Sequence, residues 1–505
     1  MLAPASFDSI YAAFLDRVEH HPDKPAVELP HGGYITYHDV LTDAQRIAHL
    51  LTQAGVKPGD RVVCQVKKSV RAVAAYLAVL QIGGIYVPLN TAYTGVELQY
   101  FLDDAEPAAV VVDPADTAGV RDMIPSAAIF TLDGVGNGTL SACETKLTAH
   151  VAVTAADPAA ILYTSGTTGR SKGAVLTHGN LASNCQALLE AWEFTGDDRL
   201  IHALPIFHIH GLFVAINMSL TAGATMLWMN ELDVDGIIDR FANATVLMGV
   251  PTFYTRLLAS NRLTPKAVAN MRLFVSGSAP LLSADFEAFY ERTGHHILER
   301  YGMTETGINT TNPCRGERRP GSVGQPLRGI EVAVVDATTG EPLSDGQVGS
   351  IEVRGPNVFD RYWRNPEKTR EEKRDNGFFI TGDQGFYDTE GYLHISGRSK
   401  DMIISGGYNV YPKEVEQLLD EHPLIAESAV IGVPDADLGE GVLAVVVARN
   451  GQAPDATELT GMLSDQLARY KQPRAYRVVE QLPRNVMGKV QKAQLREQFA
   501  EVFAL

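Results

Sequence analysis

The chain has 505 residues, more than one ordinary hydrophobic core supports, so at least two domains are expected. Its 60 acidic residues against 43 basic ones give a net charge of −17, which argues against nucleic acid, whose binding needs a basic footprint. An acidic protein that handles anions must rely on a few local clusters of Lys, Arg and backbone N–H. Cys64, Cys143, Cys185 and Cys314 lie far apart with no CxxC or Cys/His spacing, so neither a zinc site nor a disulfide framework is expected. The N-terminal stretch is interrupted by Asp8 and Asp16, and no later apolar run reaches membrane length. A cytoplasmic protein without membrane contact is the expectation.

In chain order, Val40, Leu41, Ala44, Ile47, Ala48 and Leu51 recur at helical spacing, and Gly55 ends that helix. Asp60–Val66 reads as a strand and Ser69–Leu80 as a second amphipathic helix, stopped by Gly83-Gly84. Ala108–Val112, Ala159–Tyr163, Thr245–Val250 and Leu273–Ser276 are short, wholly apolar runs of the kind buried in parallel sheets. Strands alternating with helices predict layered α/β subdomains. From Glu317 Pro and Gly become frequent and strands shorten (Glu331–Val335, Gly349–Val353, Phe378–Thr381), which predicts a β-rich subdomain over about 317–396. After Gly397 comes a compact block. It has a helix over 411–419, strands at 428–433 and 442–448, and helices at 458–467 and 490–499. The expected organisation is a large N-terminal domain over 1–396, a hinge at 397–400, and a small mobile α+β domain over 401–505.

The most informative stretch is Tyr163-Thr-Ser-Gly-Thr-Thr-Gly-Arg-Ser-Lys-Gly173, entered straight from a buried strand. Gly166 and Gly169 let the backbone turn its N–H groups inward; Thr164, Ser165, Thr167 and Thr168 supply hydroxyl donors, and Lys172 a point charge. Together they make a cradle for a polyphosphate, although the Walker spacing is absent.

This loop resembles the signature of the adenylate-forming superfamily, which includes acyl-CoA synthetases, peptide-synthetase adenylation domains and luciferase. Six further stretches resemble family motifs in the same order. They are Pro205-Ile-Phe-His208, Ser276-Gly-Ser-Ala-Pro280, Tyr301-Gly-Met-Thr-Glu305, Thr381-Gly-Asp383, Gly397-Arg-Ser-Lys-Asp401 and Pro483-Arg-Asn-Val-Met-Gly-Lys489. The resemblance implies a two-step ligase that uses ATP and Mg2+ and then coenzyme A. It makes Glu305 the magnesium ligand and puts Thr304 at the α-phosphate. Asp383 would accept from the ribose hydroxyls, assisted by Arg398. Ser278, Ala279, Glu299, Tyr301 and Gly302 would surround the adenine, with Tyr301 stacked on it.

By the same resemblance His208 walls the acyl pocket from the thiol channel, and Lys489 bridges carboxylate and α-phosphate during adenylation. Lys400 is the hinge residue, and Gly406-Gly407 lines a pantetheine channel once the small domain has rotated. Lys489, in its Pro-Arg-Asn-Val-Met-Gly-Lys setting, would also be open to a lysine acetyltransferase and deacetylase. Three histidines, His202, His208 and His210, invite a metal reading, but no carboxylate or Cys ligand is close by in sequence. His202 is expected to be structural.

Arg256 and Arg300 both follow runs expected to lead into the acyl pocket. Buried arginines want an anion, and guanidinium forks match a carboxylate, so a small dicarboxylate is expected. The strings ERYGMTE, VPTFYTR, SGSAPLL and HALPIFHIHGLF resemble malonyl-CoA synthetases more than coumarate, fatty-acid or acetate ligases. That implies malonate, with methylmalonate as a second substrate. Three alternatives stand beside it: another short or medium acid, a stand-alone adenylation enzyme loading a carrier protein, or pairing of the arginines with an internal Glu such as Glu299.

Overall fold

The computed structural model describes residues 7–93, 95–164, 171–406, 408–435, 438–452, 454–464, 466–485 and 488–503. Two mostly parallel sheets form the bulk of the chain. The first has seven strands, in spatial order Arg361–Tyr362, Lys172–Thr177, Pro158–Thr164, Ile85–Pro88, Arg61–Gln65, Ala109–Val112 and Ala128–Thr131. The second has nine. Its parallel centre runs Leu298–Met303, Leu273–Ser276, Val246–Gly249, Arg199–His202, Thr225–Trp228 and Pro25–Glu28. Strands Ala109–Val112, Val246–Gly249 and Leu273–Ser276 are buried along their whole length, as expected of short apolar runs inside parallel sheets.

The helix Tyr37–Gln53 starts at a reciprocal cap, Thr36 with Asp39, and buries Val40, Ala44, Ile47, Ala48 and Leu51 along one stripe. The helix Val70–Gln81 is buried on nearly every side. Small residues let it lie between the layers, and Tyr76 touches Tyr86 of the seven-stranded sheet and Phe213 beyond the helix. One continuous apolar core joins the two sheets.

Residues 331–398 form a four-stranded antiparallel sheet, Glu331–Val335, Gly349–Arg354, Phe379–Tyr387 and Leu393–Arg398. Residues 403–479 build a separate five-stranded sheet around the long hairpin Ile425–Asp435 and Gly439–Ala448. It has its own apolar cluster on each face. Helices Pro412–Asp420 and Ala456–Ser464 contribute to one, and Lys492–Gln498 to the other. Among the described residues no helix is long and apolar enough to cross a membrane.

Several parallel strands of the nine-stranded sheet end on the same side. His202, Gly249, Ser276 and Met303 each release the chain into a loop there. Ligands of open α/β sheets bind outside such carboxyl ends. The small domain reaches this rim: a Cβ placed on Gly488 would stand 3.6 Å from Thr252, at the start of helix Pro251–Leu258.

Candidate active site

The magnesium candidate sits at the tip of a tight hairpin. Strands Leu298–Met303 and Gly307–Thr311 pair in register Met303↔Gly307, which leaves only Thr304, Glu305 and Thr306 to turn the chain. Gly302 is required there, because a Cβ would collide with the carbonyl of Gly307. Phe359 N–H donates to the Glu305 carbonyl at 2.7 Å and Asn357 Nδ2 to that of Thr306 at 2.6 Å, which fixes the tip. The Glu305 side chain is buried, and burial raises its pKa.

The hydroxyl of Tyr362 stands 3.0 Å from Glu305 Oε1 and 2.5 Å from Glu372 Oε2. A phenol has one proton and cannot donate to two carboxylates at once, so the pair calls for positive charge, part of which comes from Lys368, with Nζ 3.1 Å from Glu372 Oε1. Lys172 supplies some, with Nζ 3.2 Å from Glu372 Oε1 and 4.3 Å over the Tyr362 ring. The arrangement follows from sheet register: strand Arg361–Tyr362 pairs with Lys172–Thr177, bringing Tyr362 opposite Ala174. A divalent cation at Glu305 would fit this donor set. No group of three or more His, Cys, Asp and Glu side chains is poised for a metal among the described residues, so such a cation would take most of its ligands from phosphate and water.

Asp383 and Arg398 face each other across an antiparallel pair, and Arg398 Nε lies 2.6 Å from Asp383 Oδ1. Tyr301 donates its hydroxyl to Asp383 Oδ2 at 2.5 Å, which fixes the plane of its ring. Each carboxylate oxygen keeps a second acceptor site, as ribose hydroxyls would need. Thr164 closes its strand with Oγ1 3.4 Å from the Lys172 carbonyl. Ser165, Gly166, Thr167, Thr168 and Gly169 lie outside the described residues, as does Gly407.

Glu299 does not pair with Arg300. Its Oε1 accepts from Leu281 N–H at 3.1 Å and its Oε2 is buried without a partner. Burial lifts its pKa from 4.5 to about 7. The folded protein therefore holds this proton at pH values where the unfolded chain has lost it, and stability falls as pH rises from about 4.5 to 7. Glu299→Gln keeps the acceptor for Leu281 and removes the titration. It is expected to erase up to roughly 3 kcal/mol of that decline, read as denaturant stability at pH 5 and pH 8. An unchanged difference between the two pH values would contradict the assignment.

Arg300 is buried, and its Nε and Nη2 have no hydrogen-bond partner among the described residues. Its guanidinium lies on Gly277, where any Cβ would collide with Arg300 Cζ. Burial lowers its pKa to about 10, so it stays charged at neutral pH. Arg256 differs from the expectation of two buried arginines. Phe253, Tyr254 and Leu257 form the inward face of helix Pro251–Leu258, which leaves Thr255 and Arg256 exposed.

The three histidines sit in different local structures, with His202 closing the strand Arg199–His202 and the other two following it. A π-helix, His210–Ile216, begins at the third, and His210 N–H approaches His208 Nδ1 at 3.4 Å. His202 stacks on Trp228 and bonds the Gly211 carbonyl through Nε2 at 2.9 Å. Lys68, which carried no sequence signal, clamps the ends of two adjacent strands. Its Nζ donates to the carbonyls of His202 at 2.8 Å and Met229 at 2.7 Å. Burial and the charges of Lys489 and Arg300 push the pKa of His208 down to about 3, so it is neutral.

Lys489 ends a turn in which its N–H donates to Asn485 Oδ1 at 3.0 Å and Gly488 takes φ +76°. Its side chain keeps solvent contact, yet it lies in the field of Arg398, Asp383, Glu305 and Arg300. Burial by the cleft walls and the nearby Arg398 lower its pKa. Residues scattered from 208 to 489 thus act on one another electrostatically in one cleft. Lys400 is exposed in the short turn Ser399–Asp401 between the domains, and Asp401 pairs with Arg496 at 2.6 Å. Gly406, at φ +58°, donates its N–H to Leu438 within the small domain.

Residues 14–363 match the AMP-binding enzyme family, and residues 414–489 match the AMP-binding enzyme C-terminal domain. The chain is 34% identical to a long-chain-fatty-acid–CoA ligase of Bacillus subtilis (strain 168), over 99% of this chain and 96% of the other. It is 36% identical to a malonate–CoA ligase of Arabidopsis thaliana, over 88% of this chain and 78% of the other. ATP-bound MatB from Rhodopseudomonas palustris, 51% identical, superposes with a TM-score of 0.95 over 98% of this chain and 99% of that one. The apo form of that protein superposes with a TM-score of 0.85.

Proposed function

This chain belongs to the AMP-binding enzyme family, and from that premise we propose that its acid substrate is malonate, with methylmalonate as a second. It is an AMP-forming acid–CoA ligase, and such ligases use ATP, Mg2+ and CoA. The observation that carries the finer reading is Arg300, a buried cation with two unpartnered donors at the carboxyl end of the central sheet. Such a charge is costly unless an anion joins it. A dicarboxylate with one end on Arg300 turns its other end toward the region that Lys489 enters. A long aliphatic chain, as in the Bacillus relative, would leave Arg300 unpaired and desolvated.

In the first half-reaction a carboxylate oxygen of malonate attacks the α-phosphorus of ATP in line, and pyrophosphate leaves. Lys489 lies between two anions that repel each other, and its charge offsets that repulsion as the pentavalent arrangement forms. Asp383, oriented by Tyr301 and Arg398, holds the ribose, and Thr304 approaches the α-phosphate. Magnesium, held at Glu305, would neutralise the phosphate oxygens. In the second half-reaction the CoA thiolate attacks the acyl carbonyl and AMP leaves with the bridging oxygen. Before that attack the 397–400 hinge rotates the small domain, withdrawing Lys489 and bringing Gly406-Gly407 to the pantetheine channel past the neutral His208 wall.

The test is a panel of malonate, methylmalonate, succinate, acetate and butyrate, each followed by AMP release with ATP and CoA and by thioester mass. Malonate is expected to exceed butyrate in kcat/KM by at least ~30-fold, the lower end for pairing a buried charge. Equal or better use of butyrate would overturn malonate. AMP release without a CoA thioester would point to carrier-protein loading.

A further inference from the structure

We propose that His210 is the second donor to the distal carboxylate of the acid, held by Ser278 in the tautomer that carries its proton on Nε2. This rests on the dicarboxylate reading above and names how that carboxylate is completed.

His210 is fully buried and begins the π-helix that follows the Pro205-Ile-Phe-His208 stretch. Its Nδ1 lies 3.4 Å from Ser278 Oγ, whereas its Nε2 is buried with no partner among the described residues. A hydroxyl can donate to Nδ1, which leaves the ring proton on Nε2 as a free donor. The neighbouring residue, Gly277, carries the Arg300 guanidinium against its Cα. The two residues Gly277-Ser278 thus hold one unpartnered cation and one unpartnered imidazole side by side, and Arg300 is the largest electrostatic influence on His210. Burial and Arg300 keep the imidazole uncharged, so it adds a directed N–H without adding a second positive charge.

Ser278 holds φ +72°, a left-handed conformation that a serine adopts rarely. Such strain persists where the surroundings over-determine it, and here it aims Oγ at His210. A single guanidinium edge saturates only part of a carboxylate, which offers about four lone-pair directions. An N–H from His210 takes one of those that Arg300 leaves open. A monocarboxylate of similar length would leave both donors buried and unpaired, so the pair discriminates against it from two directions.

His210→Leu removes the donor and keeps an apolar filler of similar bulk. It is expected to lower the ratio of kcat/KM for malonate to that for butyrate roughly 10- to 100-fold. His210→Gln, whose amide nitrogen falls close to the position of Nε2, is expected to recover part of the loss. Equal losses for malonate and butyrate, or an unchanged ratio, would overturn the proposal. Arg300→Met run in parallel separates the two readings. If it collapses the malonate preference and His210→Leu does not, only the His210 assignment fails; if neither does, the dicarboxylate reading fails as well. Nitrogen-15 NMR of the wild-type imidazole gives a readout that needs no variant. A protonated Nε2 and bare Nδ1 at neutral pH are expected, and the opposite tautomer would overturn the proposal.

Discussion

Lys489→Ala is expected to slow malonate adenylation by ~10^2- to 10^3-fold while thioester formation from supplied malonyl-adenylate stays within a few-fold of wild type. The turn carrying Lys489 belongs to the small domain and touches the large one at Thr252. Its ammonium shares the cleft with Arg300, Arg398, Asp383 and Glu305. It therefore serves only the pose in which the two domains meet this way, and acts where the carboxylate and the α-phosphate approach. Thioester formation joins a thiolate to an acyl carbonyl after pyrophosphate has gone, and it has no such pair of anions to reconcile. Pyrophosphate exchange reads the first step and malonyl-CoA from added adenylate the second. Equal loss in both would mean that Lys489 supports the fold or both chemistries, and the domain rotation would have no basis.

Arg300→Met is expected to cut kcat/KM for malonate by ~10^2- to 10^3-fold and, at the same time, to raise the stability of the ligand-free protein. Losing a charged partner in a desolvated site costs about 2–5 kcal/mol of substrate binding. The stability gain follows from what Arg300 lacks. Its Nε and Nη2 are buried without partners, no internal carboxylate pairs with it among the described residues, and Gly277 leaves room for the side chain. Methionine has similar length and no polar atoms to desolvate, so the free protein should gain about 1–3 kcal/mol in chemical denaturation. ATP KM should hold, since the ribose contact proposed above lies at Asp383, which Tyr301 orients. Lower stability in the variant would mean Arg300 has an internal partner, and the substrate argument would fall with it.

Much of the fold was legible because buried parallel strands are written as unbroken apolar runs. Ala108–Val112 and Leu273–Ser276 were recognisable from four or five residues each, and the stripe in 40–51 marks the buried face of its helix. Strands with alternating polar residues were harder. Phe379–Tyr387 and Ile425–Asp435 extend well past the stretches 378–381 and 428–433, since polar residues such as Asp383, Gln384 and Glu427 interrupt the apolar pattern yet still pair in the antiparallel ladders. Within the site, Glu305, Asp383, Arg398 and Lys489 come from distant stretches of the chain and share one cleft. Arg256 could not be oriented from its neighbours in sequence, because the face it occupies depends on which side of Pro251–Leu258 packs inward. Tyr362 and Glu372 carried no local pattern either; sheet pairing with Lys172–Thr177 brings in Tyr362, and Glu372 arrives from the end of the helix Pro366–Glu372. His210 stood in view in the string HIHG, but its free nitrogen depends on Ser278, 68 positions away.

The most direct test is to supply malonate labelled with oxygen-18 in its carboxylates, together with ATP and CoA, and to weigh the AMP. One labelled oxygen should appear in each AMP released, with malonyl-CoA lighter by that one atom. AMP free of label, with malonyl-CoA still formed, would mean that no malonyl-adenylate forms in this cleft.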